Sequence, residues 1–275
     1  MKKSFFFVVI LAITVLGIVG CESEELAVST TDYFSVSETS RVVFSTGNLQ
    51  YQASTKTWRF AEHQYDHIGS ANSNVSTSYD GWIDLFGWGT GDKPTKVSKD
   101  YFDYSDFDDW GKNKIAGSKK HTWRTLTSEE WDYLLHKRLG ANMLAGIVKV
   151  ESFTGLLILP DKYWVCIDSV SQGIIIDGVR FNTGVFDKNV NVQARRQVFT
   201  MTEWLVLESA GAVFLPETNY RMGNNVYYKQ DYGAYWTSTT SRANSADYLY
   251  FYSDKAYLGD NLRIGGFCVR LVKDM

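Results

Sequence analysis

Only two short stretches of this 275-residue chain carry a helical signature, and that scarcity restricts its fold more than any other feature. Thr127-Ser128-Glu129-Glu130 has the form of a capping box, a hydroxyl at the cap and a Glu three residues on. It opens Trp131-Asp132-Tyr133-Leu134-Leu135, where Trp131, Leu134 and Leu135 fall on one helical face, and Gly140 supplies a stop. A second short helix is expected to start near Thr200 and to run through Thr202-Glu203-Trp204-Leu205 to Ala210-Gly211. Elsewhere the apolar residues come in runs bounded by Gly, Asn or Asp, at 41–45, 57–61, 155–159, 174–181 and 266–272, which read as short strands. Residues 70–120 form a long irregular region rich in Gly, Ser, Asp and aromatics, of the kind that is functional or propped by its own packed rings. With 22 Gly, 3 Pro and 15% aromatic residues, the chain suits many short strands joined at glycine turns. The expected class is α+β: two short helices, several small antiparallel sheets and long loops. Each predicted helix also carries a Glu-Trp pair, Glu130-Trp131 and Glu203-Trp204. Each is followed by an apolar run ending in Leu-Pro-acid, Leu159-Pro160-Asp161 and Leu215-Pro216-Glu217, an internal echo too irregular for a solenoid.

The N-terminus has a different character. Lys2 and Lys3 precede an uncharged, mostly apolar run of 16 residues from Phe5 to Gly20, a basic and then an apolar region of secretory-signal type. The run falls short of the roughly 20 residues that span a hydrocarbon core. Cys21 directly after Gly20 resembles the lipobox of bacterial lipoproteins, which implies lipidation of Cys21 and removal of residues 1–20. Glu22, Glu24, Glu25 and the Ser29-Thr30-Thr31 stretch make residues 21–32 a flexible tether. The acidic cluster is similar to the surface-export signal of Bacteroidetes lipoproteins, although a merely solvated linker has the same composition. The resemblance implies an outer-membrane lipoprotein facing the cell exterior, held on the membrane by its N-terminal lipid.

Without the signal about 255 residues remain, and 33–275 is expected to be a single domain. Losing Lys2 and Lys3 leaves 26 basic against 31 acidic residues, a net charge near −5. Together with the absence of any basic run, this argues against a nucleic-acid partner. Cys166 and Cys268 can pair in an oxidising compartment, but their spacing does not decide between a bridge and two thiols.

The C-terminal half carries a further resemblance. Ala210-Gly211-Ala212-Val213-Phe214-Leu215-Pro216, Tyr220-Arg221 and Gly233-Ala234-Tyr235-Trp236-Thr237-Ser238-Thr239 precede Ala246-Asp247-Tyr248-Leu249-Tyr250-Phe251 and the closing Gly266-Phe267-Cys268-Val269-Arg270-Leu271-Val272. The upstream blocks Phe44-Ser45-Thr46-Gly47-Asn48, Trp58-Arg59-Phe60-Ala61 and Gly81-Trp82 through Gly87-Trp88-Gly89 accompany them. The series resembles the Fibrobacter succinogenes major paralogous domain and related Bacteroidetes lipoproteins, which implies a C-type-lectin-like fold. Formylglycine-generating enzymes share that fold, but they use closely spaced cysteines near the C-terminus that Cys166 and Cys268 do not reproduce. Variable proteins of diversity-generating retroelements share it too. Their binding residues lie just ahead of a constant closing segment, as the Tyr-, Asn-, Ser- and Asp-rich region 224–263 does here.

Within that region, strand alternation over 247–252 sends Leu249 and Phe251 to one face and Tyr248, Tyr250 and Tyr252 to the other. The apolar pair is expected in the core, and the tyrosines with Asp254, Tyr257, Asp260, Asn261 and Arg263 are the candidate ligand-binding set. Tyrosine gives large rigid contact area at low entropic cost. The alternative is that these tyrosines cover a second layer of the domain and seal the 70–120 region. Asp103, Asp106, Asp108 and Asp109 read as an acidic turn rather than a calcium loop, because no EF-hand spacing is present. His63 and His67 lack an evident third zinc ligand. The sequence therefore leads us to expect a non-enzymatic module that binds an extracellular protein or glycan and needs no cofactor. The alternatives are a structural subunit of a surface assembly and an enzyme of formylglycine-generating type.

Overall fold

The computed structural model describes residues 32–168, 173–182 and 197–275. The expected signal, Cys21 and all of the tether but its last residue lie outside the described residues. The domain is mixed α+β, built mostly from small antiparallel sheets with few short helices.

Both expected helices form, and for the same local reason. Helix α1 (Ser128–Asp132) is capped by Thr127, whose Oγ1 accepts the Glu130 N–H at 3.1 Å while Glu130 Oε2 accepts the Thr127 N–H at 2.8 Å. Helix α2 (Met201–Ser209) repeats the box with Thr200 and Glu203. Two otherwise orphaned N–H groups are satisfied each time, which compensates for the poor nucleation of such short helices. The first helix continues as a π turn over Tyr133–Lys137 and stops before Gly140 is reached. The Arg138 guanidinium folds back there, donating to the carbonyls of Leu134 (2.8 Å) and Leu159 (3.0 Å) and pairing with Asp161 at 2.6 Å. It satisfies a helix-end carbonyl that a further turn would otherwise have to reach.

The two helices lie on opposite faces of one sheet. Ala145–Val150 pairs antiparallel with Phe153–Ile158, which pairs antiparallel with Val213–Pro216, and Val198–Phe199 adds a parallel edge. Alternation along these strands divides the interior. Ile147, Leu156, Ile158 and Leu215 pack with Trp131, Leu134 and Leu135 of the first helical segment. Val148, Leu157 and Phe214 pack with Trp204 and Leu207 of α2. The sequence echo thus has a structural meaning, since its two apolar runs are hydrogen-bonded neighbours from Val213 opposite Ile158 to Pro216 opposite Gly155. The strand expected over 174–181 is instead a hairpin. Asp177 (φ 46°) and Gly178 (φ 85°) turn the chain between Gly173–Ile176 and Val179–Asn182, the positive-φ pair that tight hairpins favour.

A third cluster organises the long 70–120 region, which contains short 3-10 helices and little strand. Phe86, Trp88, Trp110 and Ile115 are buried in it beside Trp58, Trp236 and Phe267. Trp88 Nε1 donates to the Thr237 carbonyl (2.9 Å) and Trp236 Nε1 to the Phe86 carbonyl (2.8 Å), so the loop is pinned to the C-terminal sheet through indole donors. Gly111 permits its closest approach, because a Cβ there would lie 1.7 Å from the Trp123 carbonyl oxygen. The acidic residues of this loop hold it locally. Asp109 accepts the N–H groups of Gly111 (2.9 Å) and Thr125 (3.0 Å), and Asp108 pairs with Lys112.

The 266–272 run is not one strand either. Gly265–Gly266 and Leu271–Asp274 are strands, and the segment between them threads through the centre. Phe267 bonds Phe86 in both directions, Cys268 bonds Ala234 and Trp236, and the Val269 carbonyl accepts the Leu49 N–H. Arg270 lies buried at the end of this thread and donates to the carbonyls of Phe214 (2.6 Å) and Ser45 (3.1 Å) and to Asn48 Oδ1 (3.2 Å). Burial without a carboxylate partner lowers its pKa to about 10.

Candidate functional site: a tyrosine face on the C-terminal sheet

Three antiparallel strands, Tyr232–Thr240, Ser245–Tyr252 and Lys255–Leu262, form the C-terminal sheet. Its second turn is the two-residue Ser253-Asp254 link, with Ser253 at φ 61° and Tyr252 opposite Lys255. Directly opposed residues share a face, so the register assigns every side chain. One face carries Tyr232, Ala234 and Trp236, then Tyr248, Tyr250 and Tyr252, then Lys255, Tyr257, Gly259 and Asn261. The other carries Tyr235, Leu249, Phe251, Ala256 and Leu258 and packs into the first core cluster.

The face expected to bind ligand is graded rather than uniformly open. Tyr248 is only 8% exposed, because its ring stacks on Phe267 (5.0 Å, 21°) and meets Trp236 edge-on. Tyr250 is half-buried, stacked between Tyr248 (5.0 Å) and Tyr257 (5.2 Å). Tyr252 and Tyr257 are 47% and 41% exposed. The alternation expected for the central strand is correct, but the placement of Tyr248 at a surface is not. At that position the tyrosine face is a floor laid over the 70–120 loop. Gly259, opposite Tyr248, leaves room for the rings, since a Cβ there would stand 3.1 Å from Tyr250 Cε1.

The structure extends the face in a direction the sequence reading missed. Tyr232 contacts Tyr250 at 6.3 Å and Tyr220 at 6.0 Å, and Tyr220 stacks on Tyr227 at 5.3 Å. A continuous ladder therefore runs Tyr227, Tyr220, Tyr232, Tyr250, Tyr257. Tyr228 stands 63% exposed beside it, and Lys229 Nζ sits 3.8 Å over the Tyr252 ring and 5.0 Å from that of Tyr232. The Tyr density of 224–263 was the available signal, but Tyr220 lies outside that window. Its arrival depends on Tyr220–Met222 pairing with Asn225–Tyr227 and with Gly265–Gly266.

The remaining expected residues separate. Asp254 is half-buried at the hairpin tip. Asn261 lies on the tyrosine face, but its Oδ1 accepts the Leu262 N–H at 2.8 Å. Asp260 belongs to the opposite face, across from Asp247 and 3.9 Å from Arg242 Nε. Arg263 is a correction: it is buried, lies over the Trp88 ring at 4.4 Å, and donates to the carbonyls of Tyr104, Ser105, Ser245 and Arg242. A guanidinium with five donors used in this way fastens the loop to the sheet and is not available to a ligand.

Burial, followed by the neighbouring Tyr248 and other tyrosines, holds the Tyr232 phenol well above its ordinary pKa, and Tyr250 is raised for the same reasons. Tyr228 is raised by burial and then by Glu217 and Asp231. These phenols stay neutral at physiological pH and can donate or accept. Because neighbouring rings stack on one another, the ladder presents ring edges and hydroxyls, and open ring faces remain chiefly at its ends. The arrangement supplies amphipathic contact area.

Cys268 is a free thiol, fully buried, so it does not pair with Cys166, and burial pushes its pKa well up. Among the described residues no three His, Cys, Asp or Glu side chains are grouped to hold a metal ion. His63 stacks on Tyr65 at 5.1 Å, and His67 lies near the buried Asp84. Compared with known protein families, curated proteins and solved structures, the chain matches none.

Proposed function

We propose that the chain is the ligand-binding module of a lipid-anchored surface protein. In this reading a C-type-lectin-like domain takes an extracellular protein or glycan on the tyrosine face of its C-terminal sheet. The observation that carries it is the cluster of Tyr227, Tyr228, Tyr252 and Tyr257. Each is at least two-fifths exposed, and they rise from a base of buried Trp236, Tyr248 and Phe267. Large apolar groups left open on a rigid base are more often contact surface than accident. Tyrosine suits that role because little side-chain entropy is lost when a partner docks. The resemblance of the N-terminus to a lipobox supplies the location, and the lipid on Cys21 takes no part in recognition.

No chemistry is assigned. A formylglycine-type enzyme needs accessible thiolates, whereas Cys268 is sealed in the core with its pKa raised.

The test replaces Tyr228, Tyr252 and Tyr257 together by Ser and compares binding to glycan arrays and intact cells. The triple variant should melt with the parent and lose the binding signal. Retained binding by a folded variant removes the tyrosine face as the site.

A further inference from the structure

The outer edge of the C-terminal sheet is open in a way that its own pairing makes explicit. Ala234 accepts the Cys268 N–H and Trp236 donates to the Cys268 carbonyl, so the even-numbered residues of the first strand bond away from the sheet. Its odd-numbered residues therefore bond the central strand at Leu249 and Phe251. Tyr248, Tyr250 and Tyr252 consequently bond the third strand at Gly259, Tyr257 and Lys255. The backbone N–H and C=O groups of Ala256, Leu258 and Asp260 then point outward, and they meet no backbone partner among the described residues. An open edge of eight residues is a template for another strand. At the same edge Tyr257, the last ring of the ladder, keeps its outer side open.

We propose that this edge pairs with the same edge of a second copy of the chain, antiparallel about a two-fold axis at Leu258. Only outward-bonding residues can oppose one another, which leaves few registers, and this one is self-complementary. Leu258 meets Leu258 of the second copy, Ala256 meets Asp260, Lys255 meets Asn261, and Tyr257 meets Gly259. The last pair repeats what the sheet already does internally, where Gly259 opposes Tyr248 and makes space for its ring. Lys255 would meet an amide rather than another cation. A two-fold edge contact is closed, so it consumes the open edge instead of propagating a fibre. The product is a six-stranded sheet in which two tyrosine ladders run together into one face. The pairing does not require that face to bind anything, so this proposal and the functional one fail separately.

The test is cysteine cross-linking of the full chain in cells. Positions 255 and 261 of one copy lie on a single strand about 20 Å apart at roughly 3.4 Å per residue, too far to bridge within a chain. The Lys255→Cys/Asn261→Cys double variant should give a disulfide-linked dimer under mild oxidation. The parent and both single variants, which control for Cys21 and Cys166, should stay at background. Adding Asp260→Pro, which removes an outward N–H and an exposed contact with Arg242 but no hydrogen bond within the sheet, should abolish the band while the chain melts like the double variant. A double variant that cross-links no more than its singles, with the parent's melting behaviour, overturns the proposal. So does a band that persists with the proline, because the pairing would then not run through this edge.

Discussion

The two faces of the Ser245–Tyr252 strand share one backbone and the same two neighbouring strands, yet they meet opposite fates. Leu249 and Phe251 are both fully buried. Across the strand, exposure climbs from Tyr248 at 8% to Tyr252 at 47% within four residues. The reason is what lies beneath. The first face rests on a closed core between sheet and helix, whereas the second rests on a loop cluster that ends at Phe267 and Trp236. A strand can thus belong to two interiors at one end and to one at the other. The end that runs past its second interior is where tyrosine is useful, since its ring still covers apolar neighbours and its hydroxyl still meets water.

Four measurements would break or sharpen that contrast. The largest effect is expected from Phe251→Ala. Its ring fills the space over Gly233, where a Cβ would lie 2.3 Å away, and denaturant unfolding should show a loss of about 3–5 kcal/mol. Tyr248→Ser should come close behind, at about 2–4 kcal/mol, although it stands on the face that looks polar in the sequence. A loss below about 0.5 kcal/mol would mean that the loop cluster is not a core. A third, intermediate effect is a fall in stability at alkaline pH. Tyr232 and Tyr250 ionise above their ordinary value in the folded state. The stability they contribute is fully present below the unfolded pKa of about 10 and is lost as pH rises from there toward the folded values. Phenolate absorbance should rise in step with unfolding, and a folded protein with every phenol ionised near pH 10 would contradict the burial of the ladder. Tyr252→Ser and Tyr257→Ser, taken singly, should be the smallest changes, within about 0.5 kcal/mol, with any effect confined to binding.

Much of the local structure is legible in the sequence alone. Thr127 and Glu130 declare a helix start through groups three residues apart, and a hydrogen bond of that range needs no tertiary context. The same holds for the period-two alternation of 247–252. The hairpin at Asp177-Gly178 could also have been read from its turn pair, but the apolar residues on both sides, Ile174 to Ile176 and Val179 with Phe181, concealed it. Arg263 shows where such reading fails. In sequence it sits among Asp, Asn and Tyr like a surface residue, and only the arrival of Tyr104 and Ser105, more than 150 positions earlier, supplies the carbonyls that bury it.

The sequence by itself determined where the two helices start and which side of the 247–252 strand is apolar, because those choices depend on neighbours within a few residues. It also set the abundance of tyrosine near the C-terminus. Tertiary structure alone decided which tyrosines are floor and which are surface. That outcome depends on where the 70–120 loop ends beneath the sheet, and therefore on contacts between residues far apart in the chain. Tyr220 and Tyr227 enter the ladder, and Asp260 leaves the face, through strand pairing and register that no local pattern of residues encodes.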